Sequence, residues 1–401
     1  MHSSEKYQWR GPPKNFDQRK NERKISWLEL FYDLVYVAAI AQLTHQLASH
    51  PTWSNLGFGF LLFSQVFWSW VNGSQYYDLH GGEGLRTRVL TFFQMLAMSA
   101  VAITLGDAYE GHHCAFAIAF SVVELMITYL WWSVGFYDPS HRKFNIYYTV
   151  HYCIALGLFL ISIFTDADTA TILWIIALAF NLTPSLTGAR NIVAALKAHG
   201  QVFTASATIV ERFGLFTIMV LAESILGTVS GIAEVENKPI WIWLAFILAI
   251  MISFLLWSIY FDMTSEQETK TGYAYMQWLV FLHFPLLASL SVVGACIKVL
   301  ISDTYGALPI QVQWMFCIAL SIILIMIVAL TRIMKEEEED RSYIEPVSVL
   351  LLICSGSILI IPLFGSYFNT VSFFAIIAVV LFIPVLVGIR SWIQYRFFAQ
   401  K

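Results

Sequence analysis

The sequence predicts an all-α, polytopic transmembrane helix bundle of about twelve spans. Three observations predict it. Of 401 residues, 58% are hydrophobic and only 12% charged, about half the charge of a soluble domain, and mean hydropathy is +0.66. Twelve separate runs are each long enough to cross the hydrocarbon, which takes about 20 mostly apolar residues. Lysines and arginines then sort to alternate loops, as the positive-inside rule requires. A soluble enzyme and a disordered chain are both excluded by these values. The net charge of −4 gives no footing for a nucleic-acid partner.

In order, the runs are 27–48, 53–76, 89–107, 114–136, 146–164, 169–187, 205–230, 239–261, 273–300, 310–332, 347–367 and 370–391. Residues 1–26 are polar and charged, with no apolar core before Trp27. They read as a cytoplasmic N-terminal segment rather than a cleavable signal. The links 188–202, 262–272 and 333–346 are the longest, and none can hold a soluble domain. With the N-terminus inside, twenty Lys and Arg residues fall on the inner side. Only Lys238 and Lys298 fall outside, and Arg212 lies within the seventh run. A wrong count would flip the later loops and mix the sides. The split therefore supports twelve helices with both ends cytoplasmic. The acidic run Lys335–Asp340 reads as a solvated loop, since acids contribute little to topology.

Glu29-Leu30-Phe31 opens the first run, and Glu211-Arg212-Phe213 lies in the seventh, 182 residues later. Ser74–Asp78 closes the second, and Ser258–Asp262 closes the eighth, 184 residues later. These offsets favour a 6+6 parallel repeat, with units at 27–200 and 201–401. Few residues match, and Tyr and Asp are common at membrane interfaces, so chance is the rival explanation.

An ionisable residue inside a span is costly and is a functional candidate by default. The bland alternative is a buried group bonded to a neighbouring helix. Glu29 and Asp33, spaced i,i+4, share a face of the first run. Asp33 sits about 9 Å along that helix, while Glu29 also suits the helix N-terminus. Arg212 needs an acid at its own depth. Glu211 points about 100° away around the helix, so Asp33 or Glu29 are better partners. Glu223 shares Arg212's stripe but lies about 16 Å along the axis. Glu124 sits near mid-span in the fourth run. His283 precedes Pro285, which should break or kink the ninth run. Against one deep base stand five acids, and some of these should hold protons. That chemistry suits proton coupling or cation coordination.

Other signals are weaker. The five cysteines form no close pair, so neither a disulfide framework nor a zinc site is expected. No nucleotide, hydrolase, metalloprotease or haem signature occurs, so no metal or other cofactor is expected. His112-His113 is a poor metal spacing. Trp131-Trp132 and Tyr147-Tyr148 read as interfacial anchors. His151 reads as a core residue.

The run Trp27-Leu28-Glu29-Leu30-Phe31-Tyr32-Asp33-Leu34-Val35-Tyr36-Val37 resembles the opening signature of the bacterial low temperature requirement A family. Glu211-Arg212-Phe213-Gly214-Leu215-Phe216, continuing to Leu221-Ala222-Glu223-Ser224-Ile225, resembles that family's second signature. Thr208 stands where the family often has His, and Ala222 where it often has Gly. The resemblance implies an integral protein of the bacterial inner membrane linked by name to growth in the cold. It implies no molecular activity.

The residues favour a secondary transporter or channel-like protein for a small solute or ion, with proton coupling. Its pathway residues are Glu29, Asp33, Glu124, Glu211, Arg212, Glu223 and His283. An intramembrane enzyme with paired carboxylates acting on a lipid-linked substrate is the rival from another class. A scaffold or sensor, whose charges only specify packing, is the third.

Overall fold

The computed structural model describes residues 24–81, 84–137, 142–187, 205–236, 238–264, 268–302, 308–335 and 338–399. The expectations for residues 1–23, for the link 188–202, for part of the link 262–272, for Glu336 and Glu337, and for Lys401 lie outside them. Among the described residues twelve α-helices follow one another: α1 Trp27–Ser49, α2 Trp53–His80, α3 Leu85–Tyr109, α4 His113–Tyr137, α5 Arg142–Ser162 and α6 Ala167–Thr187. The chain continues with α7 Ala207–Ala233, α8 Ile240–Thr264, α9 Tyr273–Ser302, α10 Ile310–Thr331, α11 Glu338–Ile360 and α12 Thr370–Ala399. There is no strand among the described residues, only one isolated antiparallel bridge between Thr269 and Met334. A helix closes every backbone hydrogen bond within itself, which hydrocarbon demands of any lipid-facing segment.

Eleven of the helices are long and apolar enough to cross a membrane. The exception, α2, is 28 residues long, so it fails on composition and not on length. The reason is its position. Every residue from Leu62 to Ser74 is buried, so α2 shows almost nothing to lipid over that stretch. It can therefore carry Gln65, Ser69, Asn72 and Ser74 without meeting hydrocarbon. The lipid-facing helices show the reverse pattern, with Ile103, Phe136, Phe254 and Leu363 exposed.

Local chemistry sets several ends. Ser26 and Glu29 form a reciprocal cap at the start of α1: the Glu29 amide donates to Ser26 Oγ at 3.3 Å, and the Ser26 amide donates to Glu29 Oε2 at 3.0 Å. After α11 the chain tightens into a 3-10 segment, Ile361–Tyr367, with Pro362 in its first turn. Proline has no amide hydrogen to continue the α register. Pro285, in contrast, lies inside a continuous α9, so the expected break beside His283 does not occur.

The chain clusters into two compact units. Unit 1 holds residues up to Leu43, Gly57–Arg212 and Thr271–Gln277; unit 2 holds Thr44–Leu56, Phe213–Lys270 and Trp278–Lys401. In unit 1, α3 packs on α4, α4 on α5 and α5 on α6. There α2 is the hub. Gln65 Nε2 and Trp68 Nε1 donate to carbonyls of α6, Trp70 Nε1 reaches α1, and Tyr77 Oη donates to Gln94 of α3. In unit 2, α12 packs on α8 and α11, and α10 packs on α8 and α11.

Candidate functional site

The interior of unit 1 gathers the deepest charges. Asp33 and Arg212 have no exposed surface. Arg212 grips Asp33 with two nitrogens: Nε donates to Oδ2 at 3.2 Å, and Nη2 donates to Oδ1. This fork is the strong, geometrically specific form of the ion pair. Trp70 Nε1 donates to the same Oδ1 at 2.7 Å. Glu29 spends Oε2 on its cap with Ser26 and offers Oε1 to Arg212 Nη1 at 3.5 Å. The guanidinium also lies 5.9 Å from the ring centres of both Tyr32 and Trp70, within cation–π range. The pair expected from depth alone is thus made, with both acids on one base.

Gly73 explains how Tyr32 fits. A Cβ at position 73 would lie 2.0 Å from the Tyr32 hydroxyl oxygen, so only glycine admits the ring there. Tyr32 packs on Tyr36, ring centres 4.7 Å apart. Tyr36 lies within electrostatic reach of Asp33 on one side and Glu124 on the other. Its hydroxyl lies within reach of Tyr32 and Ser69 without a well-formed hydrogen bond among the described residues.

Glu124 is 2% exposed. Its Oε1 accepts from Asn181 Nδ2 at 2.5 Å. Among the described residues its Oε2 has no hydrogen-bond partner, and neither has Asn181 Oδ1. Because an amide nitrogen already donates to Oε1, a proton on this carboxyl belongs on Oε2. Tyr152 lies within electrostatic reach of Glu124 and donates to Asn72 Oδ1. The succession Arg212, Asp33, Tyr36, Glu124, Asn181 therefore strings fixed charge, hydroxyl and unbonded carboxyl oxygen through buried protein.

The other sequence candidates lie elsewhere. Glu211 is exposed, turned away from the Arg212 cluster, as its 100° offset on the helix requires. Glu223 and His283 belong to unit 2. Among the described residues the Glu223 carboxyl has no hydrogen bond or ion pair. His283 is saturated: Nδ1 donates to the Leu279 carbonyl at 2.7 Å, leaving Nε2 to accept from Tyr260 Oη at 2.9 Å. A carbonyl can only accept, so the Nδ1 position carries a proton, and in the neutral ring Nε2 is the acceptor.

Sequence reasoning missed Trp70, Asn72, Tyr152 and Asn181. Neutral polar groups carry little signal in an apolar run. The clue was the cluster of amides and hydroxyls in the second run, the mark of a helix enclosed by protein. The aromatic pairs are also corrected. Trp132 is exposed, but Trp131 is buried and stacks on buried Tyr148 at 5.2 Å. Adjacent residues on a helix point about 100° apart, so one of a pair faces lipid and its neighbour faces in.

An uncharacterised protein of Rhizobium meliloti (strain 1021) is 25% identical over 295 residues, covering 68% of each chain. No solved structure matches the chain. The family model described as bacterial low temperature requirement A protein matches residues 24–387, which takes in the whole of the Arg212 cluster and the Glu124 pair. This multi-pass membrane protein therefore belongs to the bacterial low temperature requirement A family.

Proposed function

We propose that the chain is a secondary transporter or channel-like protein, moving a small solute or ion with proton coupling through the polar interior of unit 1. The observation that carries this reading is Glu124, a buried carboxyl with one oxygen held by Asn181 and the other unbonded. A carboxyl that served only to join helices would spend both oxygens on partners. In this reading Arg212, neutralised by Asp33 and Glu29, is a fixed charge that shapes the field. Glu124 is the group that gains and loses a proton. Glu223 is the second candidate carrier, and a 6+6 repeat with units at 27–200 and 201–401 would suit a transporter. The charge split supports an inner-membrane location with both termini in the cytoplasm.

The test is flux in proteoliposomes carrying an internal pH dye. Wild-type protein, offered a panel of monovalent cations and small acids, should dissipate an imposed pH gradient with at least one of them. Glu124→Gln keeps the shape of the side chain but fixes it neutral. That variant should fold normally, hold its bond to Asn181 by an amide flip, and lose the coupled flux. A wild-type protein that dissipates no gradient overturns the reading. Full flux in Glu124→Gln removes Glu124 from it.

A further inference from the structure

A second cluster lies at one end of unit 1, where α2 and α4 finish and α3 and α5 begin. It is separate from the Arg212–Glu124 succession. Trp131 and Tyr76 are 3% and 2% exposed. Their rings meet edge to face, centres 6.3 Å apart, with His80 completing the wall at 5.9 Å from Tyr76. Trp131 Nε1 makes no hydrogen bond, although an indole nitrogen can only donate. The Tyr76 hydroxyl lies within reach of Arg86 and Ser133 without a well-formed hydrogen bond among the described residues. Asn145, buried on the first turn of α5, has both amide atoms unbonded. It packs where a Cβ on Gly135, one turn beyond Trp131, would approach its own Cβ to 3.0 Å.

Charge and dipoles point the same way. Arg86 donates to Ser133 Oγ at 2.9 Å and has no acidic partner among the described residues. It is half-buried, at the edge of the cluster. Two helices begin here, α3 and α5, and α3 has no side-chain cap on its first amides. Helix N-termini carry partial positive charge and free N–H groups. Asp78 is two residues from Tyr76 on α2, so it lies on another face, and it accepts from Ser206 Oγ at 2.6 Å. The Trp131 indole N–H, the Asn145 amide nitrogen, an arginine without a carboxylate and the uncapped N-terminus of α3 all lack the same thing: an anion.

We propose that Arg86, Ser133, Tyr76, Trp131 and Asn145 form a binding site for a compact oxyanion, a phosphate group. The phosphate can come from the headgroup of an anionic phospholipid or from solution. Arg86 at the edge admits it, and the indole, phenol and amide donors behind it hold its oxygens. The site stands whether or not the chain transports anything.

The experiment uses the full-length protein in nanodiscs and reads thermal stability and bound ligand. One arm titrates inorganic phosphate into discs of zwitterionic phosphatidylcholine. The other raises the fraction of phosphatidylglycerol with no phosphate present, followed by native mass spectrometry for retained lipid. Stabilisation by phosphate assigns the site to a soluble anion, and stabilisation only by phosphatidylglycerol assigns it to a headgroup. In either case Arg86→Gln should weaken binding at least about tenfold, since it removes charge-assisted hydrogen bonds. Trp131→Phe keeps charge and shape, and should weaken it several-fold; it also serves if Arg86→Gln fails to fold. Arg88→Gln, at an exposed neighbour, should leave binding unchanged. No response to either ligand, or equal losses in Arg86→Gln and Arg88→Gln, overturns the proposal.

Discussion

The two compact units are built from similar apolar helices yet differ inside. Of the sixteen buried side-chain polar atoms without a hydrogen bond among the described residues, thirteen lie in unit 1 and three in unit 2. The fully buried ion pairs are also in unit 1. Unit 2 buries nearly as many polar residues but bonds them locally and in pairs: Ser224 with Ser253 at 2.7 Å, and Ser321 and Ser355 donating to each other's carbonyls at 2.9 and 3.3 Å. It closes its helices by backbone approach. A Cβ on Gly227 would lie 2.5 Å from the Gly294 carbonyl oxygen, and one on Gly231 would lie 2.9 Å from the Lys298 carbonyl oxygen. Small residues four apart let two helices touch without any polar bond. The contrast is one of bonding: among the described residues unit 1 leaves many more buried polar atoms without a partner than unit 2 does.

The largest expected effect comes from breaking the charge cluster. Arg212→Ala leaves Asp33 and Glu29 facing each other in buried protein. Removing one member of a buried pair typically costs about 3–5 kcal/mol. Folded yield by size-exclusion chromatography should fall sharply. The joint change Arg212→Met, Asp33→Leu should recover part of it, because a well-packed apolar pair avoids desolvating two charges. If the double variant is no better than Arg212→Ala, the cluster does more than balance charge.

Next in size is the α7–α9 contact of unit 2. Gly227→Val forces the two backbones apart, and overpacking of this kind costs about 1–3 kcal/mol. Gly214 is the control on the same helix. Its nearest neighbour would be Phe261 Cε1, 3.7 Å from an added Cβ. Gly214→Ala fits that space, and alanine favours a helix over glycine by about 1 kcal/mol. It should be neutral or stabilising in thermal unfolding. Equal losses at both positions would mean that close backbone approach is not what holds unit 2 together.

The legibility of these features follows their physical cost. A charge in a span is expensive, so Glu29, Asp33 and Arg212 stood out, and depth counting paired them correctly. Span positions were legible for the same reason: lipid-facing helices must be apolar along their length. Enclosed helices obey a weaker rule, which is why α2 reads as less apolar than its neighbours and why its bonds to Asp33, Asn181 and Tyr152 were not foreseen. Neutral amides and indoles cost little to place, so they leave faint traces. The Gly227-Thr228-Val229-Ser230-Gly231 spacing was a readable signal of close packing that composition alone passed over. Pro285 shows the opposite error. A proline inside a helix costs a hydrogen bond, but the surrounding helices of a membrane bundle can carry that loss without a break.

The smallest expected effect concerns how the links are fixed, and it extends the comparison to the surface. In unit 2 the 268–270 and 333–335 segments hold each other by backbone: the Lys270 amide donates to the Ile333 carbonyl at 2.9 Å, and the Lys335 amide to the Glu268 carbonyl at 2.7 Å. In unit 1 the α5–α6 link instead relies on a side chain. Asp166 accepts from the Thr169 amide at 3.0 Å and from the Thr169 hydroxyl at 2.8 Å, capping α6. Those two donors hold the Asp166 carboxyl below its usual range. A depressed carboxyl stabilises the fold above its unfolded pKa and loses that contribution as pH falls through its folded value. The cap should therefore persist at neutral pH and fail only in acid. Hydrogen exchange on the first turn of α6 should speed up as pH drops below about 4, the unperturbed aspartate value, after correction for intrinsic rates. Asp166→Ala should show the faster exchange at every pH. The links of unit 2 should change less, since their amide–carbonyl bonds do not titrate and only the exposed Lys335–Glu268 ion pair between the same segments weakens in acid. Acid sensitivity of equal size at Thr269 and Thr169 would erase this part of the distinction between the units.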